Sequence, residues 1–113
     1  MLVINETRNG VLADKATYAG TFWSRLRGWM GKRQAQPGEA LILYPCRSVH
    51  TFWMRFPIDV LFLDRQGFVV YTLETVRPFS VSPVVRPART VIELPPGIIR
   101  QTSTRVGDVV RIE

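Results

Sequence analysis

The sequence is poor in the residues that build metal and disulfide sites, with one cysteine, Cys46, and one histidine, His50. A single cysteine excludes an internal disulfide and a zinc site built from several cysteines. No apolar run approaches the ~18 residues that a membrane-spanning helix needs. The first residues, MLVINETR, also lack the basic segment followed by an apolar segment that marks a signal peptide. We therefore expect a cytoplasmic protein with no membrane span, no metal and no cofactor.

What the chain does have is the composition of one globular domain, residues 1–113, with 46% hydrophobic and 21% charged residues. Fifteen basic residues against nine acidic ones give a net charge of +6, and thirteen of the fifteen are arginine. The guanidinium fork suits phosphate and carboxylate groups, so an anionic ligand or a protein partner is one interpretation, and a solvated, arginine-rich surface with no specific partner is the other. The arginines are scattered and form no block of like charge, which makes nucleic acid the weaker alternative.

One segment has helical periodicity. Apolar residues recur at helical spacing from Phe22 to Met30, and Thr21 is placed to cap the N-terminus. Gly28 is unfavourable inside a helix, so we expect another group to approach its backbone closely. The pattern predicts one amphipathic helix over Phe22–Met30, packed across a sheet.

The rest of the chain has the pattern of short strands. Asn9-Gly10 between two apolar runs predicts a hairpin. Apolar and β-branched runs separated by turn residues predict further strands at 40–44, 49–54, 58–63, 68–74, 90–94 and 109–112, with a helical turn at 98–102. The predicted fold class is α+β and mainly β: a small curled antiparallel sheet, or a partly open barrel, with one amphipathic helix.

Cys46 and His50 are a candidate nucleophile and base. In an extended segment, four residue steps place them about 13 Å apart, whereas a thiol and its base must lie within about 3 Å. A bend after Pro45 would bring them closer. The alternatives are a buried, unreactive thiol and an imidazole bonded to the backbone.

Asp59 and Glu93 lie within apolar strands, where the alternation of side chains turns each carboxyl toward a buried face. They could form an acid–base dyad, or complete a catalytic-type metal site with His50. The structural alternatives are ion pairs with Arg47 or Arg55, or bonds to backbone N–H groups. For Asp59 we expect backbone bonds that hold two strands in register, and a contact that orients His50.

Aromatic residues are numerous in the predicted helix and the central strands. They could line a ligand groove, although at helix and strand spacing such residues more commonly form the core. The residues concerned are Phe22, Trp23, Trp29, Phe52, Trp53, Phe56 and Phe62.

Four segments taken together resemble one known family. They are TFWSRLRGWMGKR at 21–33, CRSVHTFWMRFPIDVLFLD at 46–64, VIELPPG at 91–97 and VGD at 106–108. The chain resembles the bacterial and archaeal domain of unknown function 192 over nearly its whole length, departing at Trp29, where the family usually has leucine, and at Pro96, where alanine is common. The resemblance implies a β-rich single domain with no established reaction, ligand or cofactor, and it places the family's motif positions at His50, Met54, Asp59, Asp64, Glu93 and Gly97.

Three functions remain open at this point. A non-catalytic binding or accessory module leads, because no complete catalytic constellation can be assembled from these residue types. The alternatives are a small enzyme or metal site using His50 with Asp59, Glu93 or Cys46, and arginine-mediated binding of an anion or nucleic acid. The candidate site residues are His50, Asp59, Glu93, Cys46, Arg55 and Met54.

Overall fold

The computed structural model describes residues 1–113 as eight strands and two short helices. In chain order these are β1 Val3–Asn5, β2 Gly10–Ala13, β3 Lys15–Ala19, α1 Phe22–Arg27, β4 Glu39–Leu43, β5 Ile58–Leu63, β6 Val69–Val76, β7 Thr90–Leu94, α2 Ile98–Thr102 and β8 Val110–Ile112. The prediction of a mainly β, α+β fold is confirmed. Neither helix is long enough to cross a membrane.

The strands form two sheets rather than one curled sheet. The smaller has the order β2-β1-β8 and the larger the order β3-β4-β7-β5-β6. All pairings are antiparallel except that of β3 with β4. The predicted partly open barrel is replaced by two separate sheets, and neither closes into a barrel, since β3 and β6 end the larger sheet without meeting each other. The chain passes from the smaller to the larger sheet at Asp14, the one residue between β2 and β3. The pattern of apolar and polar residues in the sequence does not indicate that change.

The larger sheet is buried on both faces, which explains why its central strands are apolar on both sides apart from Asp59 and Glu93. One face packs against the smaller sheet through residues such as Ile42, Leu61 and Ile92. The other face carries Phe62 and Val91 with a second cluster that is completed from loops. The side chains of Trp29, Val49, Met54 and Ala88 supply that cover.

The predicted helix is shorter than expected and does not pack as expected. Thr21 caps α1 in a capping box with Ser24, as the sequence indicates. The helix ends at Arg27 because Gly28 takes the left-handed φ of 50°. No residue of α1 is buried. The prediction of a helix lying across the sheet is therefore wrong, and Trp29, just beyond the helix, provides the packing instead.

The predicted strand at 49–54 is also wrong. Only His50 makes a β-bridge there, to Val81. The chain turns at Trp53, which has a φ of 66°. The hairpin around Asn9-Gly10 and the other predicted strands are confirmed within a residue or two at their ends, and β3 is a strand that the sequence pattern did not indicate.

Candidate functional site

A cavity of about 200 Å³ opens between α1, the segment 46–50 and strand β7. We call it the Glu93 cavity. Strand β7 presents Glu93 from the floor, and the end of α1 forms one wall. The lining residues are Phe22, Arg25, Leu26, Gly28, Cys46, Ser48, Val49, His50 and Glu93. Three of the six residues predicted from the sequence, Cys46, His50 and Glu93, therefore lie together.

Glu93 is the most unusual group in this cavity. Its side chain is only 2% exposed, and its Oε1 atom has no hydrogen-bond partner. Burial raises the pKa of the carboxyl from its ordinary 4.5 to about 8, partly offset by the nearby backbone N–H of Trp29. At neutral pH the group is therefore mostly an uncharged acid with an O–H donor.

The end of α1 lies directly against this carboxyl. A Cβ atom at position 28 would lie 3.4 Å from both carboxyl oxygens of Glu93. The expected close approach to the backbone of Gly28 is confirmed, and the approaching group is Glu93. Glycine serves two purposes here, because it also tolerates the positive φ that ends the helix.

Cys46 is held as a thiol. Its Sγ donates to the carbonyl oxygen of Ser48 at 3.1 Å. Burial raises the pKa of the thiol, and the neighbouring Glu93 adds to the rise. A thiol, unlike a thiolate, is a weak nucleophile.

His50 has both ring nitrogens engaged by the backbone. Nε2 lies 2.9 Å from the carbonyl oxygen of Leu26, and Nδ1 accepts the N–H of Phe52 at 3.1 Å. The carbonyl can only accept and the N–H can only donate, so the proton belongs on Nε2. His50 thus ties α1 to the loop at 50–53, and it makes no hydrogen bond with Cys46.

Asp59 lies on the opposite face of the larger sheet from Glu93. Its Oδ1 accepts the N–H of Thr75 at 2.9 Å, and its Oδ2 accepts those of Gly97 and Ile99 at 3.0 and 2.9 Å. These bonds fasten β5 to the end of β6 and to the first turn of α2. The predicted backbone bonds are present, but Asp59 contacts neither His50 nor Glu93, so no acid–base dyad forms.

The remaining predicted residues do not reach the cavity. Met54 is buried in the core, and Arg55 is exposed. Sequence reasoning missed Arg25, which is half-buried in the wall and donates from Nη1 to the carbonyl oxygen of Gly20 at 2.7 Å. No group of three or more His, Cys, Asp or Glu side chains is placed to hold a metal ion.

Comparison with known proteins places the chain in a family. Residues 3–112 match the family model of domain of unknown function 192, described as "Uncharacterized ACR". The chain belongs to that family. A UPF0127 protein from Pyrococcus abyssi is 34% identical over 115 residues, covering 96% of this chain and 95% of the relative.

Two crystal structures share the fold. A protein of unknown function from Novosphingobium aromaticivorans superimposes with a TM-score of 0.85 at 19% identity, covering 98% of this chain and 82% of the other. A Sinorhizobium meliloti protein, named as a candidate transcription regulator, gives a TM-score of 0.82 at 23% identity, with coverage of 97% and 89%. At these identities the likeness establishes the fold alone.

Proposed function

We propose that this domain is a non-catalytic binding module that takes a small carboxylate into the Glu93 cavity. The observation that carries the proposal is the buried Oε1 atom of Glu93, which has no hydrogen-bond partner. Leaving such an atom unpaired costs about 1–3 kcal/mol. A ligand oxygen that bonds to the carboxyl removes this cost, so the cavity is built to be filled by a polar group.

The lining indicates the chemistry of the ligand. An uncharged Glu93 can donate its O–H to a ligand carboxylate, and Arg25 supplies positive charge on the adjacent wall. Only Nη1 of the Arg25 guanidinium donates a hydrogen bond within the protein, so its other N–H groups are available to a ligand. The side chains of Phe22, Leu26 and Val49 provide apolar contacts. This combination suits an anionic head with a short aliphatic chain.

The bonding of the two reactive residue types supports binding rather than catalysis. A general base needs a free nitrogen, and both nitrogens of His50 are bonded to the backbone. A nucleophilic cysteine needs a lowered pKa, and that of Cys46 is raised. Binding requires neither group to react.

Butyrate is a suitable probe, and Cys46 is a built-in reporter. Cys46 lines the cavity and is the sole thiol of the chain, so alkylation by iodoacetamide reports on this one residue. We expect millimolar butyrate to slow alkylation of Cys46, whereas butylamine at the same concentration does not. Equal rates with and without butyrate would refute the proposal.

Three variants test the assigned roles by calorimetric titration with butyrate. Arg25→Met should weaken binding about tenfold or more, because a charge-assisted hydrogen bond contributes roughly 1.5–3 kcal/mol. Arg27→Met is the matched control, since Arg27 is exposed on the same helix and does not line the cavity. Wild-type affinity should fall above pH 8, where Glu93 ionises and repels the anion. Glu93→Gln keeps a neutral donor and should lose this pH dependence.

A further inference from the structure

A second surface lies beside the cavity. Several large apolar side chains are exposed to solvent there, among them Trp23 at 74%, Trp53 at 67% and Phe79 at 58%. Contiguous exposed apolar surface of this kind marks interaction sites. We call it the aromatic face and define it by Phe22, Trp23, Phe52, Trp53, Phe79 and Val81.

His50 joins the segments that carry these residues. Its ring stacks on Phe52 with a centroid distance of 5.4 Å, and its backbone forms the bridge to Val81. Its Nε2 bonds to the carbonyl of Leu26 in α1. The rings of Phe52 and Trp53 both meet that of Phe79, at 6.2 and 5.4 Å. The rings of Phe52, Trp53 and Phe79 therefore form one continuous group, and His50 ties it to α1, which carries Phe22 and Trp23.

The backbone holds two of these rings outward at an energetic cost. Trp53 and Phe79 have φ angles of 66° and 62°, in the left-handed region that bulky residues avoid. Glycine or asparagine would suit both positions better for stability alone. Retaining large aromatic side chains at strained, exposed positions indicates that the rings themselves serve a purpose.

The three segments that carry the aromatic face contain basic residues and no acidic ones. Residues 15–38, 40–58 and 75–92 contain no aspartate or glutamate, yet they hold ten of the fifteen basic residues. Arg55 and Arg77 are exposed and adjoin the loops that carry Trp53 and Phe79. A second copy of this chain would bring the same positive charge to the interface, so the charge favours an anionic partner.

We propose that the aromatic face docks onto the surface of an anionic lipid bilayer. Tryptophan and phenylalanine partition into the headgroup region, and arginine pairs with acidic lipid headgroups. The exposed Val81 fits a lipid interface and offers nothing to a nucleobase. The rings meet edge to face, at interplanar angles of 61° for Phe52 with Phe79 and 73° for Trp53 with Phe79, so they present no parallel platform on which bases would stack.

The test uses the whole protein with two kinds of vesicle, phosphatidylcholine alone and phosphatidylcholine mixed with phosphatidylserine. We expect co-sedimentation with the mixed vesicles only, weakening as salt rises. Trp23 and Trp53 are exposed while Trp29 is buried, so a blue shift of tryptophan fluorescence on binding reports this face.

Substitutions separate the aromatic face from the rest of the surface. Trp53→Gly and Phe79→Gly suit the local backbone and should each weaken vesicle binding about tenfold or more. Arg77→Ala should weaken it about fivefold. Phe68→Ala and Arg65→Ala are matched controls: they lie in the turn at the other end of the β5–β6 hairpin, roughly 20 Å away.

Several results would overturn the proposal. These are no binding to either vesicle, equal binding to both, equal losses in the control variants, or tighter binding of a single-stranded oligonucleotide than of the mixed vesicles. Dimerisation through this face in the absence of lipid would also overturn it, since that would make a second copy the occupant. Glu93→Gln should bind vesicles as the wild type does, so this test stands apart from that of the cavity.

Discussion

Replacing Glu93 with glutamine should change how the stability of the protein depends on pH. The carboxyl of the unfolded chain ionises near pH 4.5, whereas burial keeps the folded group protonated up to about pH 8. Between these values the folded state binds the extra proton. The free energy of unfolding therefore falls as pH rises, and this contribution to stability is lost completely once the folded carboxyl ionises.

The size of the effect follows from the shift. One proton per molecule changes the free energy of unfolding by about 1.4 kcal/mol per pH unit. From pH 5 to pH 7.5 the wild type should lose about 3 kcal/mol through this group, a large share of the stability of a small domain. Glu93→Gln has nearly the same shape and no proton to lose, so it should lack this slope.

Urea denaturation of both proteins at several pH values measures the difference. Contributions from other groups, including the carboxyls of Glu39 and Asp108 with their lowered pKa values, occur in both proteins and cancel. Glu74→Gln, at an exposed position, is the matched control and should keep the wild-type slope. Parallel curves for wild type and Glu93→Gln would refute the reasoning, because they would show that Glu93 is ionised in the folded protein.

Three further predictions concern stability. Asp59→Ala leaves three backbone N–H donors unpaired and should lower the free energy of unfolding by about 3 kcal/mol or more. Asp59→Asn should lower it less, because one acceptor oxygen remains, and equal urea midpoints for the two variants would contradict this. Trp53→Gly should be about 1 kcal/mol more stable than Trp53→Ala in thermal melts, the reverse of the usual order, because φ is 66° there. Gly28→Ala should destabilise the protein by about 1 kcal/mol or more, because φ is 50° there and L side chains avoid that conformation; an unchanged urea midpoint would contradict this.

Most of the strands could be predicted because their signals are local. Asn9-Gly10 marks the end of the turn at residues 6–9 that joins β1 to β2, and the run at Ile58–Leu63 is apolar except for Asp59 because both faces of its sheet are covered. The change of sheet at Asp14 and the parallel pairing of β3 with β4 depend on distant partners. No local pattern carries that information.

The prediction that α1 packs across the sheet is wrong for a physical reason. Phe22, Trp23 and Leu26 have the spacing of a buried stripe, yet all three are exposed. Periodicity shows that residues share a face of a helix, but it does not say what covers that face. Gly28 ends the helix, so the apolar residues of α1 do not pack on the sheet. Trp29, just beyond the helix, packs there instead.

The candidate site could be predicted in part. Cys46, His50 and Glu93 are polar groups within otherwise apolar segments, and that contrast is visible in the sequence. Arg25 is one of thirteen scattered arginines, so nothing in the sequence distinguishes it before α1 is placed against β7. The end of α1 lies against Glu93 because Gly28 has no side chain and adopts a positive φ.

Asp59 and Glu93 together show how the fold treats two buried acids differently. They lie on paired strands, with Asp59 opposite Leu94 and Glu93 opposite Val60, so they project to opposite faces of one sheet. Asp59 accepts three backbone N–H bonds, whereas Oε1 of Glu93 accepts none. A carboxyl needed only for structure would be satisfied as Asp59 is, and a hydrophobic residue at position 93 would avoid the penalty of an unpaired oxygen. An acid that weakens the fold at neutral pH and faces a cavity is the physical reason for our proposal that a ligand binds there.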